Sequence, residues 1–205
     1  MSLFTREPEL KELILTALKQ IAIELDSEYN NKEIYSFVIY PSSGFRDLGI
    51  AYCTRSYQKN AVRSVEPLDP DILKILKNHP ELLEQASIPS ENYFEITACE
   101  WDGVRAYSDM FSEINDLINE EYDALYDAGI ENGEICQFFE NLLTEVLLQM
   151  KSAKIFSSSA FEDDLLLGVQ IPDTEDTEMV IRVSKAVNSS AWHEKICNGY
   201  ESNRE

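Results

Sequence analysis

The segment YFEITACEWDGVRAYSDMFSEINDLIN, which covers residues 93–119, decides the predicted fold. It predicts a short strand, then a turn that carries Glu100-Trp101-Asp102-Gly103, and then a helix that begins near Ser108. The strongly acidic part of the chain also begins in this segment.

Three predicted elements precede the segment. Apolar residues recur at helical spacing from Leu10 to Leu25, which predicts an amphipathic helix over about residues 8–29. Residues 34–40 are rich in aromatic and β-branched side chains, and residues 48–54 alternate large and small side chains, so both predict strands. The loop between them suits an antiparallel hairpin.

Residues 56–90 are interpreted as a variable helical insertion. Asp69 and Pro70 predict the start of a short helix, because Asp is a favoured N-cap and Pro suits the first helical position. His79 and Pro80 end or kink that helix. His79 stands beside a proline and is interpreted as a surface or capping residue rather than a ligand.

Two amphipathic helices are predicted after the strand. The first has an apolar stripe over residues 110–125 and is closed by Gly129. The second begins at Asn132 and has an apolar stripe over residues 135–150. The short turn between them predicts that the two helices are antiparallel neighbours.

The end of the chain predicts one more strand and one more helix. Residues 161–171 predict the strand, residues 179–187 predict the helix, and the polar tail from Asn198 is predicted to fray. The order of elements predicts a single α+β domain over residues 1–205. In this domain the long N-terminal helix, the central helix pair and the C-terminal helix pack on a small, mostly antiparallel sheet of about four strands.

The charge and hydropathy of the chain exclude several functions. The 205 residues carry a net charge of −21 and give a pI near 4.3. Direct binding to nucleic-acid phosphates or to an anionic membrane needs basic patches, so neither is expected. No apolar run approaches the roughly 20 residues of a membrane-spanning helix, and the polar first residues do not resemble a secretory signal. A cytoplasmic protein is the expectation.

No sequence motif indicates a cofactor or a metal, and none is expected. The seven glycines form no phosphate-binding loop, and no calcium-binding loop is present. Four cysteines are too scattered for a zinc or redox motif and are predicted to be small core residues: Cys53, Cys99, Cys136 and Cys197. His193 is the second histidine, but neither Cys53 nor Cys99 lies in a recognisable nucleophile motif with which it could act.

An acidic stretch covers residues 100–145. It holds thirteen acidic residues and one basic residue, which is a net charge of −12 in 46 residues. Six of its carboxylates are spaced three or four residues apart and so share one helical face. They are Asp109, Glu113, Asp116, Glu120, Asp123 and Asp127. The face is a solvated surface, a surface that steers a basic partner, or a site for a divalent cation. Like charges at this spacing cost an isolated helix about 0.2–0.5 kcal/mol for each pair, which is an argument for a functional use of the face.

The candidate catalytic residues lie in the turn. Glu100 and Asp102 share one face if the segment is extended, so their carboxylates could converge as an acid–base pair. Arg105 and Tyr107 are nearby as orienting groups. The alternative is that both carboxylates only cap or bond the backbone. Trp101 is interpreted as a core anchor, with ligand stacking as the alternative.

Three segments together resemble an uncharacterised bacterial family, domain-of-unknown-function family 4303. They are IYSFVIY at residues 34–40, Glu100-Trp101, and FSEINDL at residues 111–117. The positions that match the family pattern are Glu100, Trp101, Phe111 and Asn115. The resemblance implies a small cytoplasmic bacterial protein, of a kind considered alongside immunity proteins of toxin systems. It implies no established activity.

Three functions are consistent with these observations. The first is a non-enzymatic module that presents the acidic face to a basic protein partner, as an antitoxin or immunity-type inhibitor does. The second is a hydrolase or transferase with a site at Glu100 and Asp102. The third is a nucleic-acid mimic whose carboxylates imitate phosphates. The sequence leaves the oligomeric state open.

Overall fold

A computed structural model describes residues 3–64, 74, 75, 77, 91–172 and 177–201. The described residues form seven α-helices and three strands. In chain order they are α1 (Glu7–Glu28), β1 (Ile34–Ile39), β2 (Ile50–Thr54), α2 (Arg55–Ser64), α3 (Glu91–Ile96), α4 (Ser112–Asp127), α5 (Asn132–Ser152), β3 (Phe161–Val169), α6 (Thr177–Val187) and α7 (Ser190–Glu201). Short 3₁₀ turns lie at Ser43–Phe45, Ala98–Glu100 and Ser108–Phe111.

The sheet has the strand order β2-β1-β3 and confirms an α+β architecture. Strand β1 pairs with β2 as the predicted antiparallel hairpin, and it pairs with β3 in parallel. The sheet described here is therefore a mixed sheet of three strands rather than a mostly antiparallel sheet of about four. Every residue of β1 and β2 is buried, so helices and loops cover both faces of the hairpin.

The predicted strand at the start of residues 93–119 is wrong. Its first residues belong to the short helix α3, which packs against α2 and α7. Strand β1 already has a partner on each side, so no edge of the central strand is open to it. The chain reaches the outer edge of β2 only later, where the N–H groups of Gly103 and Arg105 donate to Tyr52 and Ile50. A high strand propensity means that a side chain suits a half-buried sheet surface. In this segment, tertiary packing outweighs that preference and a helix forms.

Gly103 allows this close approach to β2. A Cβ atom added to it would lie 2.3 Å from Cδ1 of the Tyr52 ring. Tyr52 is itself buried, at 8% exposure, so its ring has little room to move. We expect Gly103→Ala to lower the free energy of unfolding by about 1–3 kcal/mol, the usual cost of overpacking. Urea unfolding measures this change in the free energy of unfolding. Gly133→Ala is the control, because a Cβ at Gly133 meets nothing within 4 Å.

Helices α1, α4 and α5 form a layer whose centre is α1. The predicted N-terminal helix is confirmed, and α1 packs against both α4 and α5. Gly129 closes α4 with a φ of 74°, as the sequence predicted. Helices α4 and α5 each pack on α1, and they contact each other where the Tyr122 hydroxyl donates to the Asn132 side chain at 2.8 Å. Long apolar stripes do not specify which helix they face.

The C-terminal region contains two helices where the sequence predicted one. Helix α6 is the predicted helix, and α7 follows it after a two-residue break. Trp192 and Ile196 of α7 are buried, and the helix continues past Asn198 to Glu201. The prediction of a frayed tail is therefore wrong for residues 198–201, and residues 202–205 lie outside the described residues. Besides the buried Trp192 and Ile196, the partly buried Tyr200 also packs against the core.

The predicted insertion at 56–90 begins with α2. The helix predicted at Asp69 and Pro70, and the interpretation of His79, lie outside the described residues. Within the described parts of the chain, no helix is long and apolar enough to cross a membrane.

Candidate functional site

Helix α4 separates its apolar and acidic residues onto two faces. Ile114, Leu117, Ile118 and Tyr122 are buried against the body of the protein. The six carboxylates singled out in the sequence are all exposed: Asp109 in the preceding 3₁₀ turn, and Glu113, Asp116, Glu120, Asp123 and Asp127 on the helix. The structure thus brings the predicted residues onto one surface, which we call the α4 acidic face.

Few cations lie on the α4 acidic face. Arg6 approaches Glu120 to 3.3 Å, and Arg46 approaches Asp123 to 3.1 Å. Both pairs are solvent-exposed, so each contributes little to stability. Within the described parts of the chain, the other four carboxylates have no ion pair. The face therefore keeps most of its negative charge uncompensated.

The N-terminal part of α1 borders the α4 acidic face. A groove between α1 and α4 is lined by Arg6, Glu9 and Leu13 on one side and by acidic residues of α4 on the other. Arg6 donates hydrogen bonds to both carboxylate oxygens of Glu9, at 2.7 and 2.6 Å. This hydrogen bond lowers the pKa of Glu9, so its carboxylate stays charged. Glu9 was not predicted from the sequence, although its place in the first turn of α1 was a usable signal.

Asn115 and Arg105 hold α4 in place rather than facing a substrate. The side-chain oxygen of Asn115 accepts a bond from the Leu48 N–H at 2.8 Å, and its nitrogen donates to Asp47 at 2.6 Å. Arg105 forms an ion pair of 2.6 Å with the same Asp47. The loop before β2, the turn after Gly103 and α4 are therefore joined through one carboxylate.

Glu100 and Asp102 contact different groups. Glu100 is half-buried and accepts a hydrogen bond of 3.4 Å from the Tyr93 hydroxyl. Asp102 is exposed and accepts one of 3.1 Å from the Thr54 hydroxyl. A 3₁₀ turn ends at Glu100 and Trp101 after it is extended, but the two carboxylates bond separate partners, Tyr93 and Thr54.

The other positions of the family pattern are in the core. Trp101 is 4% exposed and donates its indole N–H to the Phe94 carbonyl at 3.0 Å. It also packs edge-on against Tyr35. Phe111 is fully buried. The interpretation of Trp101 as a core anchor is confirmed.

A charged cluster that the sequence did not predict lies around Arg55. The guanidinium forms a bidentate pair with Glu162, at 2.7 and 2.9 Å, and bonds Glu95 at 2.7 Å. Lys195 contacts the second oxygen of Glu95 at 2.6 Å. The guanidinium also lies over the Tyr35 ring, 4.0 Å from its centroid. Burial lowers the pKa of Arg55, but its hydrogen bonds with Glu162 and Glu95 outweigh this effect and raise that pKa.

The Arg55 cluster joins four elements. Arg55 begins α2, Glu95 lies in α3, Glu162 in β3 and Lys195 in α7. The two positive and two negative charges balance, and each is hydrogen-bonded. This arrangement fits a structural role, because it holds the two short helices α3 and α7 on the sheet.

The cysteines differ from the prediction in their burial. Cys53 alone is buried, Cys99 is exposed, and Cys136 and Cys197 are intermediate. Burial raises the pKa of Cys53 to about 12, so its thiol stays protonated at neutral pH. His193 lies 3.7 Å from the Cys197 sulfur, not beside Cys53 or Cys99, and it also contacts the Ser184 hydroxyl at 3.3 Å. The described residues hold no group of three or more metal-ligating side chains.

Comparisons of the chain with protein-family models, with curated proteins and with solved structures find no match.

Proposed function

We propose that this chain is a non-enzymatic, cytoplasmic protein-binding module that presents the α4 acidic face to a basic protein partner. The observation that carries the proposal is the exposure of six carboxylates on one face with only two of them ion-paired within the described residues. The mode of action is that of an antitoxin or immunity-type inhibitor, which occupies a basic surface of its target.

The charge of the α4 acidic face would favour association with a basic protein. Like charges three or four residues apart destabilise an isolated helix, so an arrangement that keeps them together costs stability. The same arrangement produces a field that attracts a basic protein and raises the rate of encounter. Glu9 and the groove beside α1 widen the surface that such a partner would contact.

The test compares capture by the protein and by a charge-neutralised variant. The variant Glu113→Gln, Asp116→Asn, Glu120→Gln removes three charges from the face and keeps the shape of the side chains. Each protein is immobilised and exposed to a lysate of the source organism at low salt, and the bound proteins are eluted with a salt gradient and quantified by mass spectrometry. We expect a basic protein that elutes at moderate salt from the original chain and is retained about tenfold less by the variant.

The control variant carries the same charge change at other sites. Glu145→Gln, Asp163→Asn, Glu194→Gln neutralises three exposed carboxylates on α5, β3 and α7. It should retain the partner as the original chain does. Equal retention by all three proteins would contradict the proposal, because the α4 acidic face would then contribute nothing particular. Competition by duplex DNA for the retained partner would indicate nucleic-acid mimicry as the way in which the face acts.

A further inference from the structure

A second feature of the molecule is a cavity at one end of the sheet. Parallel strands β1 and β3 end side by side, and the residues that follow them, Tyr40 after β1 and Gln170 after β3, line the cavity. The carboxyl ends of parallel strands are where open sheets with helices most often bind ligands. Neither the α4 acidic face nor the Arg55 cluster borders it.

The other walls of the cavity come from three helices. Tyr93 and Thr97 lie in and just after α3, Val180 belongs to α6, and Tyr200 belongs to α7. Among the described residues the lining thus includes three tyrosines from three separate parts of the chain. A small concave site with aromatic and apolar walls and a few convergent polar groups is the usual form of a small-molecule site.

The hydroxyls of Tyr93 and Tyr200 on this cavity are neutral groups. The Tyr93 hydroxyl donates to Glu100, and that of Tyr200 donates to Gln170, each at 3.4 Å. Burial raises the pKa of Tyr93 to about 12 and raises that of Tyr200 further. Both rings therefore stay uncharged at neutral pH.

The charges near the cavity favour a ligand with a positive charge. No lysine or arginine is among its described lining residues, and the carboxylate bonded to its wall is Glu100. The whole chain adds a net charge of −21. An anion would enter this site without a counter-charge, whereas a cation is attracted by the carboxylate, by the long-range field and by the tyrosine rings.

We propose that this cavity binds a small organic ammonium cation, held by the three tyrosines Tyr40, Tyr93 and Tyr200 and by the charge of Glu100. Glu100 does not itself line the cavity, so its charge acts on the cation from its position at the Tyr93 hydroxyl, a role that the sequence did not indicate. The proposal does not depend on the protein partner, because the cavity and the α4 acidic face share no residue.

The experiment uses choline as the probe and its neutral isostere, 3,3-dimethylbutan-1-ol, as the matched compound. Titration calorimetry on the full chain measures the two affinities. We expect saturable binding of choline and binding of the alcohol at least about tenfold weaker, because the cation–π and carboxylate contributions are absent from the alcohol. Choline should also slow the alkylation of Cys99 by iodoacetamide, since this exposed thiol lines the cavity.

Two variants and a control locate the site. Glu100→Gln removes the charge and keeps the side-chain shape, and Tyr93→Leu removes one ring; each should weaken choline binding about tenfold. Tyr126→Leu is the control, because Tyr126 is 73% exposed on α4 and does not line the cavity. The proposal is overturned if choline does not bind, if the alcohol binds equally well, or if Glu100→Gln binds choline like the original chain.

Discussion

Replacing Phe139 with alanine is expected to lower the free energy of unfolding by about 3–5 kcal/mol, the cost of deleting a buried phenylalanine ring. Phe139 is fully buried in α5. Its ring stacks on Phe45 with centroids 5.1 Å apart and meets Phe4 edge-on at 5.2 Å. The substitution therefore loosens the contact between α5, the segment before α1 and the hairpin loop at once.

Urea unfolding followed by circular dichroism measures this change, and the thermal midpoint should fall by about 10 °C. Leu148→Ala is the control because Leu148 lies on the same helix at 41% exposure. It should change the stability by less than about 0.5 kcal/mol, as surface substitutions usually do. A loss below 1 kcal/mol for Phe139→Ala would contradict the described aromatic packing.

Replacing Arg55 with methionine is expected to cost about 3 kcal/mol, the lower part of the range for breaking a buried ion pair. Methionine keeps part of the packing over Tyr35 but leaves Glu162 without its partner. Glu162 is 26% exposed and Arg55 is 27% exposed, so solvent relieves only part of the cost.

A double-mutant cycle separates the charge from the packing. Arg55→Met with Glu162→Gln should be less destabilising than the sum of the two single variants, by at least about 1 kcal/mol, because the uncompensated carboxylate is gone. Lys32→Met is the control, since Lys32 pairs with Asp163 at an exposed site and should lose less than about 1 kcal/mol. Additive effects of Arg55 and Glu162 would show that the bidentate pair contributes no coupling.

Periodicity in the sequence predicted the elements with their own strong pattern. Six parts of the structure correspond to predicted elements: α1, the β1–β2 hairpin, α4, α5, β3 and α6. They could be predicted because alternating or helical apolar spacing is a local property of the sequence. The strand prediction for the segment that forms α3 was wrong, because long-range contacts rather than local pattern determine its structure. Its aromatic and β-branched residues suit a strand, but β1 has no vacant side, so long-range packing decides.

Arrangement in space was harder to predict than the elements themselves. Helices α4 and α5 both pack on α1, and β3 lies parallel to β1. Both arrangements depend on contacts between residues that are far apart in the chain. The Arg55 cluster is a similar case, since Glu162 lies 107 residues from Arg55. No local spacing indicates such a pair.

The candidate sites also differ in whether the sequence could predict them. The α4 acidic face could be predicted because its carboxylates share one helix and one period. The cavity could not, because Tyr40, Tyr93 and Tyr200 come from distant segments and meet only in the fold. Glu100 was singled out for its neighbour Asp102, yet in the structure it bonds Tyr93.

We propose that the α4 acidic face supplies the electrostatic part of binding to a basic partner. The most direct test is the affinity of the captured partner at a series of salt concentrations, for the original chain and for Glu113→Gln, Asp116→Asn, Glu120→Gln. We predict that affinity falls as salt rises, and that the variant binds more weakly at low salt with a shallower salt dependence. Identical affinities and identical salt dependence for the two proteins would contradict the claim.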